Sequence, residues 1–272
     1  IYKMPKKYFE QFGCVIGDEA HMFKAKSLTS IMTKLHQCKY RFGFTGTLDG
    51  TETHRLVLEG LFGSVEQVVT TKELIDKKTL ANLKIKCITL KHPEKREKMT
   101  YAEELDYIVS HEKRNTFLCD LLHHLNGNTL CLFQLVEKHG KVLYERMKGK
   151  ENVYFVYGAT SAEQREEIRT IVDKSKNSTT IASYGTFSTG INIRNINNIV
   201  LASPSKSKIR VLQSIGRGLR TSSSKDSILV FDIADDISYK GRYNFTLNHF
   251  FERLNIYNEE QFNYELSKVK IK

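Results

Sequence analysis

The sequence of 272 residues contains no tryptophan and only three prolines, and it has no apolar run of the length that crosses a bilayer. It shows no secretory signal pattern, no internal repeat and no low-complexity tract. These absences argue against a membrane protein and against a repeat protein. We therefore expect a soluble, cytoplasmic protein with no membrane partner, and a monomer.

Closely spaced cysteines are also missing. None of the cysteines shows the short spacing to another cysteine or to a histidine that zinc sites require. We predict reduced thiols, most of them buried, and no metal site built on cysteine. The five cysteines are Cys14, Cys38, Cys87, Cys119 and Cys131.

The charge of the chain is strongly positive, with 42 lysines and arginines against 31 aspartates and glutamates and a net charge of +11. Such a balance favours a polyanionic partner, although charge alone does not distinguish nucleic acid from a membrane surface. The hydrophobic content of 40% is enough for packed cores in one large domain or two small ones.

Two carboxylates follow directly after an apolar run. The run Phe12–Gly17 reads as a short buried strand, and Asp18-Glu19-Ala20-His21 comes next. An aspartate at a strand's end can hold Mg²⁺ through its water shell, and the next glutamate can orient or deprotonate a water aimed at a γ-phosphate. The four residues alone are equally compatible with a polar loop that closes a strand.

Two arginines three residues apart lie on one face of a helix that we predict from about Ser207 to Arg220. They are Arg217 and Arg220, within Gln213-Ser214-Ile215-Gly216-Arg217-Gly218-Leu219-Arg220. Guanidinium groups suit phosphate oxygens, and an arginine across a cleft stabilises the charge of a transferred phosphoryl group. The alternative is an exposed basic helix face, but the glycines beside Arg217 would weaken a helix that had only that role.

At this point the sequence resembles the superfamily 2 helicases and translocases. Asp18-Glu19-Ala20-His21 resembles their motif II, Thr45-Gly46-Thr47 motif III, the segment from Ser188 to Ile193 motif V, and Gln213–Arg220 motif VI. The resemblance covers most of the chain. It implies an α/β fold with two RecA-like parallel-sheet lobes, ATP and Mg²⁺ as cofactors, and DNA as the partner.

The resemblance also implies roles at the nucleotide. Asp18 would hold Mg²⁺ through water, Glu19 would activate the attacking water, Gln213 would position it or the γ-phosphate, and the arginines would act as fingers. The implied catalytic residues are Asp18, Glu19, His21, Gln213, Arg217 and Arg220. The implied cofactor-binding residues are Asp18, Glu19, Gly190, Asn192, Arg217 and Arg220. Many relatives carry aspartate where Asn192 stands.

Further roles concern coupling and the nucleic acid. The triplet Thr45-Gly46-Thr47 would form hydrogen bonds to the acidic loop, which we define as Asp18 to His21, and would relay the state of that loop towards the nucleic acid. The alternative is an ordinary transition from a strand to a turn. Ser183, Gly185 and Thr186 follow a predicted parallel strand at its carboxyl end, where α/β sheets bind ligands, and the resemblance assigns them contacts to the nucleic acid backbone.

The family's phosphate-binding loop, G-x-x-x-x-G-K-[ST], is missing, because His139-Gly140-Lys141-Val142 lacks both the upstream glycine and the hydroxyl residue. The chain also opens at Ile1 without an initiator methionine. We therefore expect the C-terminal part of a longer protein, with the first lobe incomplete.

The expected output is ATP-dependent unwinding or branch migration of branched DNA, such as forks, D-loops and junctions, with RNA–DNA hybrids as a further substrate. Two other classes remain open. The protein could be a translocase that remodels nucleoprotein without separating strands, or a nucleic-acid-binding fragment that is inactive without its phosphate-binding loop.

The predicted organisation has three parts. Residues 1–92 form the second half of one α/β domain, a charged segment over 93–100 is the interdomain linker, and residues 101–272 form a second RecA-like domain with regular alternation of strands and helices. We predict a strand over 65–69, a helical region over 101–125 and further strands over 129–133, 179–183 and 199–202. Capping-box patterns predict helix starts after Thr70 and Ser161, and residues 183–190 read as a loop beyond a strand. An aromatic run between Tyr243 and Tyr257 has helical spacing. We predict that Phe245, Phe250, Phe251 and Leu254 belong to the core, with base stacking as the alternative.

Overall fold

The structure is a computed structural model that describes residues 1–48, 51–93, 99–190, 193, 195–205, 207–219 and 227–271. The chain folds into two compact units. The first comprises Ile1–Val68 with Ser207–Leu212, and the second comprises Val69–Lys206 with Gln213–Lys272.

The first unit contains a pair of parallel strands, β1 (Cys14–Gly17) and β2 (Tyr40–Gly43), with Ile16 opposite Phe42. One side of this unit is its core, where Phe9, Phe23, Met32, Leu35, Cys38 and Leu58 are buried. Other strand residues point to solvent, among them Ile16, which is 66% exposed. Its helices are α1 (Lys6–Phe9), α2 (Lys26–Lys34) and α3 (Glu52–Phe62), with a 3-10 turn at Ala20–Lys24.

The second unit is built on a parallel sheet. Within the described part of the chain this sheet has seven strands, in the order β5-β6-β4-β7-β8-β3-β9. The strands are β3 (Asn82–Lys91), β4 (Asn128–Phe133), β5 (Val153–Val156), β6 (Ser178–Ser183), β7 (Asn198–Leu201), β8 (Ser227–Asp236) and β9 (Tyr264–Lys270). Its helices are α4 (Thr71–Asp76), α5 (Tyr101–Ser110), α6 (Glu112–His124), α7 (Lys141–Arg146), α8 (Ala162–Lys174), α9 (Tyr184–Gly190) and α11 (Phe245–Glu259). Helix α10 (Lys208–Gly218) belongs to the first unit up to Leu212 and to the second from Gln213.

The position of β3 corrects the predicted domain boundary. We expected residues 1–92 in one domain, but β3 pairs along its whole length with β8 and is also paired with β9. A strand between two others belongs to that sheet, so the division falls at Val68 and Val69 rather than in the expected linker 93–100. Most of that linker, residues 94–98, lies outside the described residues.

The local signals at helix starts are confirmed. Thr70 and Ser161 each accept a hydrogen bond from the backbone N–H three residues ahead, and the side chain at that third residue bonds back. Such capping boxes satisfy two of the amide groups that the first turn of a helix leaves without partners. Thr100 with Glu103 forms a third capping box, which starts α5.

Other predictions differ from the structure. The helical region from Tyr101 to Leu125 is two helices, because His111 is extended and its side chain caps the second. The segment from Ser183 to Gly190 was predicted as a loop, but Ser183 ends β6 and Tyr184–Gly190 forms helix α9. No strand forms over residues 65–69, which the structure describes as irregular. Strand β9 was not predicted.

Two buried carboxylates anchor helix α11. Glu104 accepts hydrogen bonds from the backbone N–H of Phe245 (2.9 Å) and of Thr246 (2.7 Å) at the start of the helix. Further along, Arg253 donates to both oxygens of Asp232 on β8 and to the carbonyl of Ser205, which lies ahead of α10. Breaking such a buried pair by removing one partner typically costs about 3–5 kcal/mol.

All five cysteines have free thiols, as predicted, and Cys14 alone among them is exposed. Burial raises the pKa of the Cys119 thiol to about 11 and that of Cys131 to about 12. None of the helices in the described part of the chain has the length and hydrophobicity that a bilayer-spanning segment needs.

Candidate functional site

The acidic loop lies at the carboxyl end of the β1–β2 pair. Strand pairing continues past both strands, since Phe44 N–H donates to Gly17 O and Ala20 N–H donates to Phe44 O, each at 2.8 Å. Between these two bonds the chain turns sharply at Glu19, whose φ of 49° lies in the left-handed region. For a residue other than glycine this conformation costs about 1–3 kcal/mol and is frequent at functional sites.

The side chains of the loop stabilise that turn. Asp18 Oδ1 accepts a hydrogen bond from the Glu19 N–H at 2.8 Å, and both carboxylates are exposed. Carboxylate oxygens are the ligands that Mg²⁺ prefers, and a single carboxylate with several retained waters is a common arrangement for it. The exposed Asp18 and Glu19 therefore fit Mg²⁺ bound with a nucleotide.

His21 connects the acidic loop to the predicted coupling triplet. Its Nδ1 lies 2.9 Å from Thr45 Oγ1 and 3.2 Å from Glu19 Oε2. The Thr45 hydroxyl donates to Thr47 O at 3.1 Å, so it accepts from His21, and the Nδ1 atom carries the proton. The structure thus brings Glu19, His21, Thr45 and Thr47 together. His21 is hydrogen-bonded to Thr45 and lies within ion-pair distance of Glu19, and Gly46 is exposed between the threonines.

Helix α10 carries Gln213 and Arg217, and both side chains are half-buried. The guanidinium of Arg217 lies over the ring of Phe187 in α9, with 5.5 Å between the guanidinium carbon and the ring centroid. Such a contact limits the orientations of a guanidinium while leaving its N–H groups able to donate. Arg220, the second predicted finger, lies outside the described residues.

The two glycines beside Arg217 have different surroundings. A Cβ at Gly218 would lie 2.0 Å from Ile228 Cδ1 and 2.8 Å from Ile199 Cδ1, whereas a Cβ at Gly216 would meet nothing within 4 Å. Gly218 therefore lets α10 approach β7 and β8 closely. The N–H of Ala81, just ahead of β3, also donates to Leu219 O at 2.9 Å, which secures the end of the helix.

This difference predicts opposite effects of one substitution. Gly218→Ala is expected to destabilise the protein by about 1–3 kcal/mol, because the added methyl overpacks the sheet. Gly216→Ala is expected to raise stability by up to about 1 kcal/mol through helix propensity. Urea unfolding of both variants measures the two free energies, and equal effects would show that Gly218 does not control this packing.

The predicted nucleic-acid residues lie at the start of α9. Ser183 Oγ is 2.8 Å from Thr186 Oγ1 and accepts the Thr186 N–H at 3.3 Å, so Ser183 caps the helix. Both side chains are buried, whereas Gly185 is exposed. Gly190 ends the same helix, and Asn192, which the resemblance assigns to cofactor binding, lies outside the described residues.

A buried polar network at the carboxyl ends of the sheet strands was not predicted from the sequence. Arg114 donates to Asp235 Oδ1 at 2.7 Å and to Ala202 O at 2.7 Å, and His92 lies 2.8 Å from the same Asp235 oxygen. Arg114 also lies 3.4 Å from His139 Nε2. The network draws on residues that follow or end β3, β7 and β8, so it fixes the carboxyl ends of these strands relative to one another.

The protonation of this network follows from its geometry. Because an arginine only donates, His139 Nε2 must accept, and its Nδ1–H donates to Ser203 Oγ at 3.0 Å. Burial, with Arg114 nearby, lowers the pKa of His139 to about 3. Burial alone would raise the pKa of Asp235, but Arg114 and His92 outweigh it and hold this pKa at about 2. At neutral pH the network therefore contains His139 in its neutral form and Asp235 as an ionised carboxylate.

The same network reaches the predicted nucleic-acid residues through Ser203. Its carbonyl accepts the Tyr184 hydroxyl at 3.1 Å, and its hydroxyl accepts the Gln134 N–H at 3.1 Å. Tyr184 is the first residue of α9, so this bond supports the helix that presents Gly185 and Thr186.

The sequence contained one feature that could have indicated the buried network. This feature is the acidic pair Asp235-Asp236, which stands at the end of an apolar strand. Within the described residues, no group of three or more histidines, cysteines or carboxylates is placed to bind a metal.

Comparisons with known proteins agree with this geometry. Residues 113–222 match the model of the helicase conserved C-terminal domain. The chain is 35% identical over 289 residues to the ATP-dependent DNA helicase UvsW of Enterobacteria phage T4, which covers 100% of this chain and 57% of UvsW. It is 27% identical over 252 residues to the putative ATP-dependent helicase IRC3 of Saccharomyces cerevisiae, covering 85% of this chain and 35% of that protein. The chain thus spans about half, or less, of the length of these relatives.

Solved structures show the same relationship. The crystal structure of T4 UvsW superimposes with a TM-score of 0.61 over 99% of this chain and 56% of that one. A fragment of a putative HsdR subunit of a type I restriction enzyme from Vibrio vulnificus, 14% identical, gives a TM-score of 0.70 over 97% of this chain and 50% of that one, and supports the fold alone. The α/β architecture is therefore that of RecA-like helicase domains. Residues 113–222 are therefore a helicase conserved C-terminal domain, and the whole chain is similar to part of a superfamily 2 helicase.

Proposed function

We propose that this chain supplies the carboxylates and arginines of an ATP-driven DNA motor that unwinds or branch-migrates branched DNA. The observation that carries the proposal is the exposed pair Asp18 and Glu19, held in a strained turn at the carboxyl end of a parallel strand. The similarity to a protein named as an ATP-dependent DNA helicase supports the same activity.

In this proposal, ATP would supply the phosphoanhydride bond whose hydrolysis drives the motor, and Mg²⁺ would neutralise charge on its phosphates. Asp18 would hold Mg²⁺ through water, and Glu19 would accept a proton from the attacking water. Gln213 orients that water or the terminal phosphate, and Arg217 and Arg220 donate to phosphate oxygens where negative charge develops. Gly190 and Asn192 complete the set of residues proposed to bind the nucleotide.

The proposed coupling runs from Glu19 to the nearby His21, and from His21 through its hydrogen bond to Thr45 and Thr47. A change in the protonation or contacts of Glu19 alters what His21 donates to, and Thr45 then passes this change along the segment Thr45-Gly46-Thr47. In the second unit, Ser183, Gly185 and Thr186 contact the phosphate backbone at the start of α9, where helix amide groups favour an anion.

The proposed substrate is branched DNA, namely forks, D-loops and junctions, with RNA–DNA hybrids as a further candidate. A net charge of +11 supports a polyanionic substrate recognised mainly through its phosphates. A motor that grips the backbone prefers branched DNA only if it contacts two arms at once. Junctions are therefore expected to compete better than a linear duplex with the same number of phosphates.

The test compares this segment with a longer protein that also carries a glycine-rich Lys-Ser or Lys-Thr loop. We expect negligible ATP hydrolysis by the segment, because the phosphate-binding loop is missing from it, and hydrolysis stimulated by DNA in the longer protein. A cooperative thermal transition of the segment, monitored by circular dichroism, would rule out unfolding as the cause. Robust turnover by the segment would contradict the proposal.

Strand displacement on a labelled fork then separates the possible outputs. ATP-dependent release of the labelled strand supports a helicase, whereas ATP hydrolysis without release would indicate a translocase that remodels nucleoprotein. Binding without any hydrolysis in the longer protein would indicate a nucleic-acid-binding role.

A further inference from the structure

An exposed group of aromatic rings, which we name the aromatic surface, lies beside the start of α11. It consists of Tyr101, Tyr243, Phe245 and Phe251, with exposed fractions of 37%, 61%, 47% and 38%. The rings touch one another in edge-on pairs. Centroids are 6.3 Å apart for Tyr101 and Phe245, and 5.2 Å apart for Tyr243 and Phe251.

The structure confirms the prediction of a core position for Phe250 and corrects it for Phe245 and Phe251. Phe250 is buried, at 2% exposed, and its ring lies under the Arg253 guanidinium. Phe245 and Phe251, which we predicted beside it, are largely exposed. The helical period places residues 250 and 251 about 100° apart around the axis, so both cannot face the sheet.

Hydrogen bonds to Glu104 and Asn244 fix the backbone that carries the aromatic surface. The buried Glu104 accepts from the backbone of Phe245 and Thr246 and from the Asn244 side chain (2.9 Å). Asn244 also closes the loop that precedes α11, since its Oδ1 accepts the Ile237 N–H at 3.0 Å and its Nδ2 donates to Asp235 O at 3.0 Å. Exposed rings on a rigid support lose little conformational freedom when they bind a ligand.

Basic side chains flank the rings. Tyr239 and Arg242 are bridged as a tight turn, whose tip is Lys240 and Gly241, and the φ of 77° at Gly241 favours glycine there. Lys240 and Arg242 are exposed, and Lys240 Nζ lies 5.3 Å from the Tyr239 ring centroid. On the adjoining strands, Lys91 and Lys268 both pair with Asp236. Acidic residues also occur nearby in the chain, at Glu103 and Glu252, both exposed.

The aromatic surface and the residues proposed to hold the DNA backbone share one edge of the sheet. Ser183 ends β6, and Asp236 ends β8, just before the basic turn. The strands β6, β4, β7 and β8 are neighbours in that order and all are parallel, so their carboxyl ends lie on the same edge. Three strand spacings separate β6 from β8, a distance of about 14 Å. A few nucleotides of a single strand can cover it.

We propose that the aromatic surface binds the bases of single-stranded nucleic acid by stacking, while Lys240 and Arg242 contact the adjacent phosphates. Exposed rings with flanking cations are the arrangement by which proteins bind single strands without reading their sequence. The proposal rests on the proposed function, because it extends the same strand from the Ser183 and Thr186 region along the sheet edge. It gives the motor a contact to bases in addition to its contacts to the backbone.

The experiment compares two fluorescein-labelled probes, oligo(dT) and an oligonucleotide of equal length made of abasic residues. Both carry the same number of phosphates, so a difference between them reports the bases alone. We expect the wild-type protein to bind oligo(dT) more tightly than the abasic strand by fluorescence anisotropy. Tyr243→Ala is expected to weaken binding of oligo(dT) by about 5-fold or more and to leave binding of the abasic strand unchanged.

Three further variants isolate the cause. Tyr243→Phe retains the ring and is expected to bind both probes as the wild type does. Tyr40→Ala removes an exposed tyrosine in the first unit, whose ring also lies near a lysine, and serves as the matched control. The double variant Lys240→Ala and Arg242→Ala is expected to weaken binding of both probes and to reduce the salt dependence, by about 0.7 in the logarithmic slope for each lost phosphate contact.

The outcomes separate this inference from the proposed function. If the wild type binds both probes with equal affinity, the stacking proposal is overturned and the proposed backbone binding is not affected. If it binds neither probe, both the stacking proposal and the proposed backbone binding are overturned. Equal losses on both probes in Tyr243→Ala would indicate a structural defect and contradict stacking. Self-association in sedimentation that Tyr243→Ala abolishes would assign the surface to a second copy of the chain, and would also overturn the proposal.

Discussion

Arg217→Ala in the longer protein is expected to lower ATP turnover by about 10³-fold or more, as loss of an arginine finger does in other phosphoryl-transfer enzymes. Arg217 is half-buried, and its guanidinium is oriented by the Phe187 ring. Arg217→Lys should recover little of the rate, because a lysine keeps the charge but lacks the planar fork that bonds two phosphate oxygens at once.

The matched control for Arg217 is Arg169→Ala. Arg169 is another helical arginine, paired with Glu166 and Asp173 on α8, and its loss should leave turnover unchanged. Steady-state ATPase rates and DNA-binding affinity of each variant are the measurements, with only a small effect on DNA affinity expected for Arg217→Ala. If Arg217→Ala and Arg169→Ala both turn over ATP at the wild-type rate, Arg217 has no catalytic role.

Glu19→Gln in the longer protein is expected to retain ATP binding and to lose about 10²- to 10⁴-fold in turnover, because an amide cannot accept the proton of the attacking water. The substitution preserves the size of the side chain and leaves an oxygen able to accept from His21, which lies 3.2 Å away. Binding of a fluorescent ATP analogue and single-turnover hydrolysis distinguish the loss of chemistry from a loss of affinity.

Glu10→Gln is the control for Glu19→Gln, since Glu10 is an exposed glutamate in the same unit and outside the loop. It should behave as the wild type in both measurements. Normal turnover by Glu19→Gln would mean that the acidic loop has been assigned the wrong chemistry, whereas loss of nucleotide binding would indicate that the left-handed turn at Glu19 depends on its charge.

The sequence was most informative where structure is decided locally. The capping boxes at Thr70 and Ser161 and the apolar strands β4, β6 and β7 depend on neighbours in the chain, and the structure confirms them. Helix α9 was missed because glycine, serine and threonine are poor helix formers, and it forms through the Ser183 cap and the burial of Phe187. Strand β9 was missed because most of it is exposed and polar at the sheet edge.

Long-range pairing limited the prediction in other places. The alternation in β3 indicates a strand, but it cannot show that the strand lies between β8 and β9, which come more than a hundred residues later. Likewise, the loop residues Asp18, Glu19 and His21 are neighbours in the chain and could be recognised by their position after a strand and by their resemblance to a family motif, whereas Arg114, His139 and Asp235 are brought together only by the fold. Partners far apart in sequence leave no pattern that a single sequence reveals.

The uneven burial of the five thiols makes the protein suited to selective chemical labelling. A thiol reacts as its thiolate, so burial with a raised pKa keeps Cys119 and Cys131 inert towards maleimides, and Cys38 and Cys87 are buried as well. Cys14 remains, four residues ahead of Asp18 on the exposed side of β1. A single environment-sensitive dye can therefore be attached next to the acidic loop without removing any cysteine, and its emission would report events in that loop in real time.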